Sequence, residues 1–268
     1  MIRTRFKLSG SGPCVLLVPG LASTIDSWGY QIRGLKKNFK TLAIENSVMI
    51  SGNESDGEFS IPKMLKDIED VLKFLQIEKV SILGASMGGI IGWEYANRHP
   101  EQVDSLILSS LPLKSDTHMD DCLSMLLNMV KKNDPVAFVS ELIKNFFSNE
   151  FLLGRRFQFV KELFLESILR IRMEAIYNQL MFLKKWHDLA QYPGLPHKPC
   201  LLIYGTEDKV VNFSVKDGEL QSLFPSAEIK FIDGAGHAVH IEKPSIFNEI
   251  VHKFLKPDFP IQNSIYQE

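Results

Sequence analysis

The chain has 268 residues, 45% of them hydrophobic, and a formal net charge of -2 at pH 7. This length favours one large domain or one domain with an insertion, and it is enough to bury a substantial core. The near balance of charge argues against a nucleic-acid-binding protein, since there is no general excess of Lys and Arg to neutralise phosphates.

The amino-terminal stretch "MIRTRFKLSGSGPCVLLVPG" carries early basic residues and then a short apolar run, residues 15–18. That run is too short for a signal-peptide core or a membrane span. We therefore expect a soluble, cytoplasmic protein that does not enter a membrane. Cys14, Cys122 and Cys200 are far apart and form no CxxC pair, so neither a disulfide framework nor a zinc cluster is expected.

Short apolar runs recur along the chain and predict strands at 14–18, 41–44, 80–84, 105–110, 200–205 and 228–233. Most of these runs lack polar alternation, which is typical of strands covered on both faces of a parallel sheet. Helical periodicity lies between several of them, most clearly in "IPKMLKDIEDVLKFLQI" and "KPSIFNEIVHKFL". Strands that alternate with helices predict an α/β fold with a mostly parallel, doubly wound sheet.

The alternation breaks between about Pro112 and Pro196, where the sequence predicts several amphipathic helices and no strand. One helix start is marked by Asp134 as the N-cap residue and by Pro135 at the first helical position. Phe and Leu are frequent here, as in "FFSNEFLLGRRFQF", and most of them are expected to pack the helices together. A helical insertion between two strands also predicts a lid over the carboxyl edge of the sheet, where open α/β sheets bind ligands.

The stretch "VSILGASMGGIIGWEYA" places Ser86 in a G-x-S-x-G pentapeptide between a predicted strand and a predicted helix. Strand, tight turn and helix form the context in which this motif presents a nucleophile. Gly84 and Gly88 suit a sharp turn in which larger side chains would collide with the serine or with the neighbouring strand. The alternative is a Gly-rich turn that only permits close packing. Neither of the common phosphate-binding glycine patterns matches this stretch.

A serine hydroxyl is a weak nucleophile that needs a base, and the base needs an orienting acid. Downstream of Ser86, Asp208 follows the predicted strand in "LLIYGTEDKVV", and His237 follows the predicted strand in "IKFIDGAGHAVH". Both are therefore expected at the carboxyl edge of the sheet, in the chain order serine, acid, histidine. The alternative acids are Glu207, Asp233 and, less favoured by position, Asp116.

The stretch "GAGHAVH" holds two histidines three positions apart. His237 is the candidate base because it directly follows the strand, and His240 is expected to be structural or to flank the pocket. Gly234 and Gly236 are expected to let the loop bend back toward the serine. The sequence contains no H-x-x-x-H pattern and no histidine–carboxylate cluster, so no metal site is predicted.

The ordered motifs G-A-S-M-G-G, G-T-E-D-K-V-V and G-A-G-H, the last followed by Glu242 and Pro244, resemble those of helical-capped α/β-hydrolases of the lactonase, esterase and carbon–carbon hydrolase branch. The resemblance implies an α/β-hydrolase core over residues 1–111 and 197–268, with a helical cap inserted at 112–196. It also implies an oxyanion hole made by the backbone N–H groups of Leu21 and Met87.

The chain departs from the family pattern in two loops. The loop after the strand at 14–18 begins Pro19-Gly20-Leu21, without the histidine that usually precedes the glycine, which puts the support of that loop in doubt. Relatives usually carry an Asp and a Gly-rich loop after the strand "TLAI", whereas this chain has Glu45 followed by "NSVMISGNES". This second loop is expected to take a different path.

The sequence therefore predicts a serine hydrolase that cleaves a carboxylic ester, lactone or related acyl bond of a small molecule through an acyl-enzyme, without a cofactor. Serine in place of aspartate argues against dehalogenase and epoxide hydrolase chemistry. A non-catalytic ligand receptor on the same fold is one alternative. Another is the hydrolysis of carrier-bound acyl esters, as in the pimeloyl-carrier-protein methyl esterases. An acidic carrier protein would then meet basic residues of the cap, namely Lys131, Lys132, Arg155 and Arg156.

Overall fold

The computed structural model of the protein describes residues 4–45, 59–186, 198–211, 220 and 224–256. These residues form a seven-stranded sheet with the strand order β1-β3-β2-β4-β5-β6-β7. The strands are β1 (Phe6–Ser9), β2 (Cys14–Val18), β3 (Lys40–Ile44), β4 (Val80–Ala85), β5 (Val103–Ser109), β6 (Cys200–Gly205) and β7 (Glu228–Ile232).

Neighbouring strands pair in parallel except β1, which pairs antiparallel with β3. The predicted α/β class with a mostly parallel sheet is confirmed, and the six predicted strands correspond to β2–β7. Strand β1 was not predicted, because its four residues lie at the sheet edge, only partly buried or exposed, and so lack a continuous apolar run.

Helices cover both faces of the sheet, which explains why the central strands are apolar on both sides. The helices of the core are α1 (Gly29–Leu35), α2 (Ile61–Leu75), α3 (Met87–Arg98), α9 (Val239–Glu242) and α10 (Pro244–Leu255). Helices α2 and α3 share a buried cluster with Leu16, Ile82 and Leu106 of the sheet. Helices α1 and α10 pack on the opposite face with Leu17, Leu83 and Ile107.

In the described residues between β5 and β6, where the sequence predicts the helical insertion, there are five helices. They are α4 (Thr117–Lys131), α5 (Pro135–Phe146), α6 (Asn149–Leu153), α7 (Phe157–Leu169) and α8 (Met173–Lys185). Helix α5 begins as predicted, with the Asp134 side chain accepting a hydrogen bond from the backbone N–H of Ala137 at 2.9 Å. The division into a core and a cap at 112–196 stays a prediction, and residues 187–197 lie outside the described residues. Within the described parts of the chain, no helix is long and apolar enough to cross a membrane.

Candidate active site

Ser86 lies at the tight turn between β4 and α3, in the centre of the sheet. Its backbone has φ 53° and ψ -117°, a conformation that is costly for a residue with a side chain. The two motif glycines are sterically required. A Cβ on Gly84 would lie 2.4 Å from the Gly88 carbonyl oxygen, and a Cβ on Gly88 would lie 2.1 Å from the Val18 carbonyl oxygen. The turn therefore holds the serine backbone in a strained and fixed position.

The loop after β2 packs directly against this turn. A Cβ on Gly20 would lie 3.0 Å from the carbonyl oxygen of Ala85 and 3.6 Å from the Cβ of Ser86. Leu21 follows at once, and Met87 opens α3 immediately after the serine. Neither the Leu21 N–H nor the Met87 N–H donates to an acceptor in the described part of the chain. Both groups are therefore available as donors beside Ser86, where the family resemblance predicts the oxyanion hole.

The loop after β2, which lacks the family's histidine, is hydrogen-bonded to a residue of the helical insertion. The backbone N–H of Ala22, a residue with φ 52°, donates to the side-chain oxygen of Gln179 at 2.9 Å. Gln179 is fully buried on α8, between the core residues Ile176 and Leu180. The sequence analysis missed this residue, although a glutamine on the apolar face of an amphipathic helix is the signal that could have revealed it.

The second loop departure is only partly within the described residues. Glu45 is buried, accepts a hydrogen bond from the backbone N–H of Ile25 at 3.3 Å, and lies 3.4 Å from the Arg5 guanidinium. Burial raises the pKa of this carboxyl, and the Arg5 charge opposes the rise. Glu45 thus ties β3 to the turn before α1. The rest of the loop, from residue 46, lies outside the described residues.

Asp208 and His237 are brought together by the loops after β6 and β7. His237 Nδ1 lies 2.9 Å from Asp208 Oδ2 and 3.1 Å from Oδ1, and both side chains are almost completely buried. Asp208 Oδ1 also accepts hydrogen bonds from the backbone N–H groups of Val210 and Val211, at 2.8 and 2.9 Å. A carboxylate accepts hydrogen bonds, so this geometry gives Nδ1 the donor role and leaves Nε2 as the ring nitrogen that does not contact Asp208.

Ser86 and His237 line the same small void, together with Gly20 and Leu21. The void has a volume of about 30 Å³, which holds only one or two water molecules. His237 Nε2 is buried and has no hydrogen-bond partner in the described part of the chain. The arrangement thus places Ser86, His237 and Leu21 around one cavity, with Met87 next to the serine in the chain.

The three alternative acids are engaged elsewhere or point away from the histidine. Asp116 caps α4 by accepting a hydrogen bond from the Met119 N–H at 2.8 Å. Asp233 accepts a hydrogen bond from the Thr206 hydroxyl at 3.2 Å. Glu207 is exposed. Asp208 is therefore the only one of the four carboxylates considered that contacts His237 within hydrogen-bond distance in the described residues.

His240 is also buried and lies in α9, directly after the loop that carries His237. Its ring packs against Trp28, with 4.7 Å between ring centroids, and against Phe247 at 6.0 Å. Burial, together with the charge of neighbouring His237, lowers the pKa of His240 to about 3. A ring that stays neutral at such low pH is a poor general base, because base strength falls with pKa. His240 also lines the void, in agreement with a structural or pocket-flanking position.

Of the four basic residues predicted to meet an acidic carrier protein, Arg156 makes hydrogen bonds to the core, and the other three are exposed. The guanidinium of Arg156 donates to the carbonyl oxygens of Ile241 and Glu242, at 2.9 and 3.3 Å, and to the Tyr30 hydroxyl at 3.2 Å. Arg156 therefore holds the insertion to the core. Lys131, Lys132 and Arg155 are exposed, and their contact with a carrier protein stays a prediction.

An Asp208→Asn substitution tests the role of the acid. The amide cannot fix the imidazole proton on Nδ1, so we expect kcat for ester hydrolysis to fall by about 10³- to 10⁴-fold. Asp233→Asn is the matched control and should keep kcat within about threefold, because its carboxylate contacts Thr206 and not His237. Steady-state kinetics of both variants measures the difference. An equal loss of kcat in the two variants would contradict the assignment of Asp208 as the acid.

Comparison with known proteins agrees with this fold. A family model described as alpha/beta hydrolase fold matches residues 13–135. A putative carbamate hydrolase, RutD, from Agrobacterium fabrum is 23% identical over 94% of this chain and 96% of its own length. A thermophilic esterase from Thermogutta terrifontis superposes with a TM-score of 0.81 at 20% identity, covering 95% of this chain and 93% of the esterase. An enol-lactonase from Burkholderia xenovorans superposes with a TM-score of 0.78 at 18% identity, covering 94% and 96%.

The sheet order, the serine turn and these similarities define the class of protein. The chain has the α/β-hydrolase fold, and the family model of that name matches its residues 13–135. Its relatives are named as esterase, lactonase and carbamate hydrolase, and the chain is a hydrolytic enzyme of this fold.

Proposed function

We propose that the protein is a serine hydrolase that cleaves a carboxylic ester or lactone through an acyl-enzyme. The observation that carries the proposal is the void that Ser86 and His237 share, with His237 hydrogen-bonded to Asp208 on its far side. The strained serine turn supports it, since such strain is kept where it serves a function.

The chemistry proceeds in two halves. Ser86 Oγ attacks the carbonyl carbon while His237 Nε2 takes the hydroxyl proton, and Asp208 stabilises the resulting imidazolium. The Leu21 and Met87 N–H groups bind the oxyanion, and each contributes about 2.7–4 kcal/mol by analogy with a deleted donor. The imidazolium then protonates the leaving alkoxide, and the alcohol departs. Water, deprotonated by His237, hydrolyses the acyl-enzyme and restores Ser86.

The space around the serine indicates where the rest of the substrate lies. The 30 Å³ void is too small for an acyl or alcohol group larger than a methyl, so the substrate needs adjoining space. A cavity of about 300 Å³ adjoins it, and the two cavities share lining residues Ser23, Ser27, Phe164 and Ile241. Its volume is at the lower end of the range for small-molecule sites.

Helix α7 lines this larger cavity with four apolar residues and two polar ones, namely Phe159, Val160, Leu163, Phe164, Glu166 and Ser167. Phe159 and Leu163 line it and are 58% and 45% exposed, so they offer apolar surface for a ligand to cover. The opposite wall consists of the turn before α1, with Thr24 and Ser27 among its residues. We therefore propose an apolar acyl chain of medium length, lying along α7 with its carboxyl end at Ser86.

A series of p-nitrophenyl esters tests this substrate class. We expect kcat/KM to rise at least about 10-fold from acetate to hexanoate, because added methylenes become buried against α7. Leu163→Asp should remove most of this rise while acetate hydrolysis stays within about twofold, since the charge is placed in the larger cavity and not at Ser86.

Leu169→Asp is the matched control for that series. Leu169 is exposed on the same helix, does not line either cavity, and should leave the chain-length profile unchanged. A flat profile in the unmodified protein would contradict the medium-chain substrate. The absence of hydrolysis for every ester in the series would contradict the hydrolase proposal itself.

A further inference from the structure

The motif after His237 contains a buried carboxylate that the proposed reaction does not use. Glu242, in α9, is 3% exposed. Its Oε1 accepts a hydrogen bond from the Gly236 N–H at 2.8 Å, and its Oε2 accepts hydrogen bonds from the Ser148 hydroxyl at 2.6 Å and the Ser148 N–H at 3.2 Å. One carboxylate thus joins the residue before His237 to the turn between α5 and α6, which we call the α5–α6 turn (residues 146–149).

The other neighbour of His237 is held by the same turn. The backbone N–H of Ala238 donates to the carbonyl oxygen of Phe146 at 2.9 Å, and the Phe146 ring lies 4.8 Å from the His237 ring. On the opposite side, the Ser110 hydroxyl donates to the His237 carbonyl oxygen at 2.8 Å. The backbone of His237 is therefore fixed on both sides by contacts with the α5–α6 turn, one of which runs through Glu242.

Gly236 is a glycine because of this close contact. A Cβ there would lie 2.7 Å from the Ser148 nitrogen and 2.8 Å from Glu242 Oε1. Its φ lies outside the left-handed region, unlike that of Gly234, which is +62°. The sequence-based expectation that both glycines serve to bend the loop is therefore right for Gly234 only, and Gly236 makes room for the turn.

The loop of the acid contacts the same turn through a basic residue. Lys209, the residue after Asp208, donates from Nζ to Asn149 Oδ1 at 2.8 Å and to the Phe147 carbonyl oxygen at 3.0 Å. It also reaches the Lys144 carbonyl oxygen at 3.3 Å, at the carboxyl end of α5, where a positive charge is favourable. Both loops that carry the Asp208–His237 pair therefore depend on one turn of the insertion.

We propose that the α5–α6 turn acts as a template for the Asp208–His237 pair, with Glu242 and Lys209 as the positioning residues that make the contact. Neither residue touches the reacting atoms. They act by fixing the two loops relative to each other, so that the imidazole keeps its orientation toward Ser86. This inference rests on the proposed function for its kinetic consequence, but the hydrogen bond between His237 and Asp208 can be observed without turnover.

The test compares Glu242→Gln with the unmodified protein. An amide in place of the carboxylate carries a donor, so either Gly236 or Ser148 loses its acceptor. A displacement of about 1 Å at the base costs about 10²-fold, and we expect kcat to fall 10- to 100-fold with KM within about threefold. The low-field ¹H resonance of the His237 Nδ1 proton should shift or broaden, as measured by NMR. Lys209→Met should lower kcat in the same direction, and it provides the readout if Glu242→Gln does not fold.

Lys243→Met is the matched control. Lys243 lies 3.7 Å from Glu150 and also joins the insertion to this part of the core, but through a surface ion pair, with its Nζ near Gly234 and without a hydrogen bond to Asp208 or His237 in the described residues. It should leave kcat and the Nδ1 resonance unchanged. The kcat of each variant is calculated per active site, with the sites counted by covalent labelling of Ser86. If Glu242→Gln and Lys209→Met lower the melting temperature but change neither this kcat nor the Nδ1 resonance, the two residues are merely structural. That result would overturn the proposal. If the unmodified protein cleaves no ester, the proposed function fails, and the resonance alone decides the positioning role.

Discussion

Ser86→Ala is expected to lower kcat for p-nitrophenyl ester hydrolysis by at least about 10³-fold. The substitution removes the only group at the turn that can attack the carbonyl carbon, while the Leu21 and Met87 donors and the larger cavity stay in place. KM should therefore change much less than kcat. The fold should be retained, because alanine at 86 needs the same backbone conformation and adds no atom.

A serine-directed phosphonate probe gives a second readout of the same substitution. The unmodified protein should be labelled with a stoichiometry of one, and Ser86→Ala should not be labelled. Ser226→Ala, at an exposed serine, serves as the control and should keep both turnover and labelling. Unchanged turnover in Ser86→Ala would reject the proposed mechanism. Specific binding of an apolar carboxylic ester without turnover in the unmodified protein would instead favour the receptor alternative.

His237→Ala is expected to abolish turnover to a similar degree, since no other described side chain at the void can take the serine proton at neutral pH. His240→Ala should keep kcat within about 10-fold, because a ring whose pKa is lowered to about 3 is not the base. Its main effect should be on stability, through loss of packing against Trp28 and Phe247, measured as a lower urea midpoint. A reversed order of the two kcat values would assign the base to His240.

Strands β2–β7 and the positions of the three candidate residues could be predicted from sequence because their signals are local. Ser86, Asp208 and His237 each follow an apolar strand within about five residues, and parallel strands bring their carboxyl ends to one edge of the sheet. The Asp208–His237 contact at 2.9 Å follows from that topology.

The supporting contacts could not be predicted, since they join residues that are far apart in the chain. Gln179 supports the loop at Ala22 across 157 positions, and Glu242 holds Ser148 across 94. The helical pattern can single out Gln179 as a polar residue on an apolar face, but the group that each of these residues contacts depends on how the insertion docks on the sheet. The size of the void at Ser86 likewise depends on the positions of Phe146 and Phe164, which only the folded insertion sets.

The neighbouring strands β5 and β6 are separated in the chain by the whole insertion, and this has a consequence for the order of folding. The pairing of Leu106 with Cys200 closes a loop of more than 90 residues, so it is among the entropically costly steps in forming the sheet. During synthesis, the amino-terminal half with Ser86 emerges before Asp208, His237 and Glu242 exist. If the proposed mechanism holds, the nascent chain carries Ser86 for a time without His237, and hydrolytic competence arises late, when the carboxyl-terminal strands join the sheet.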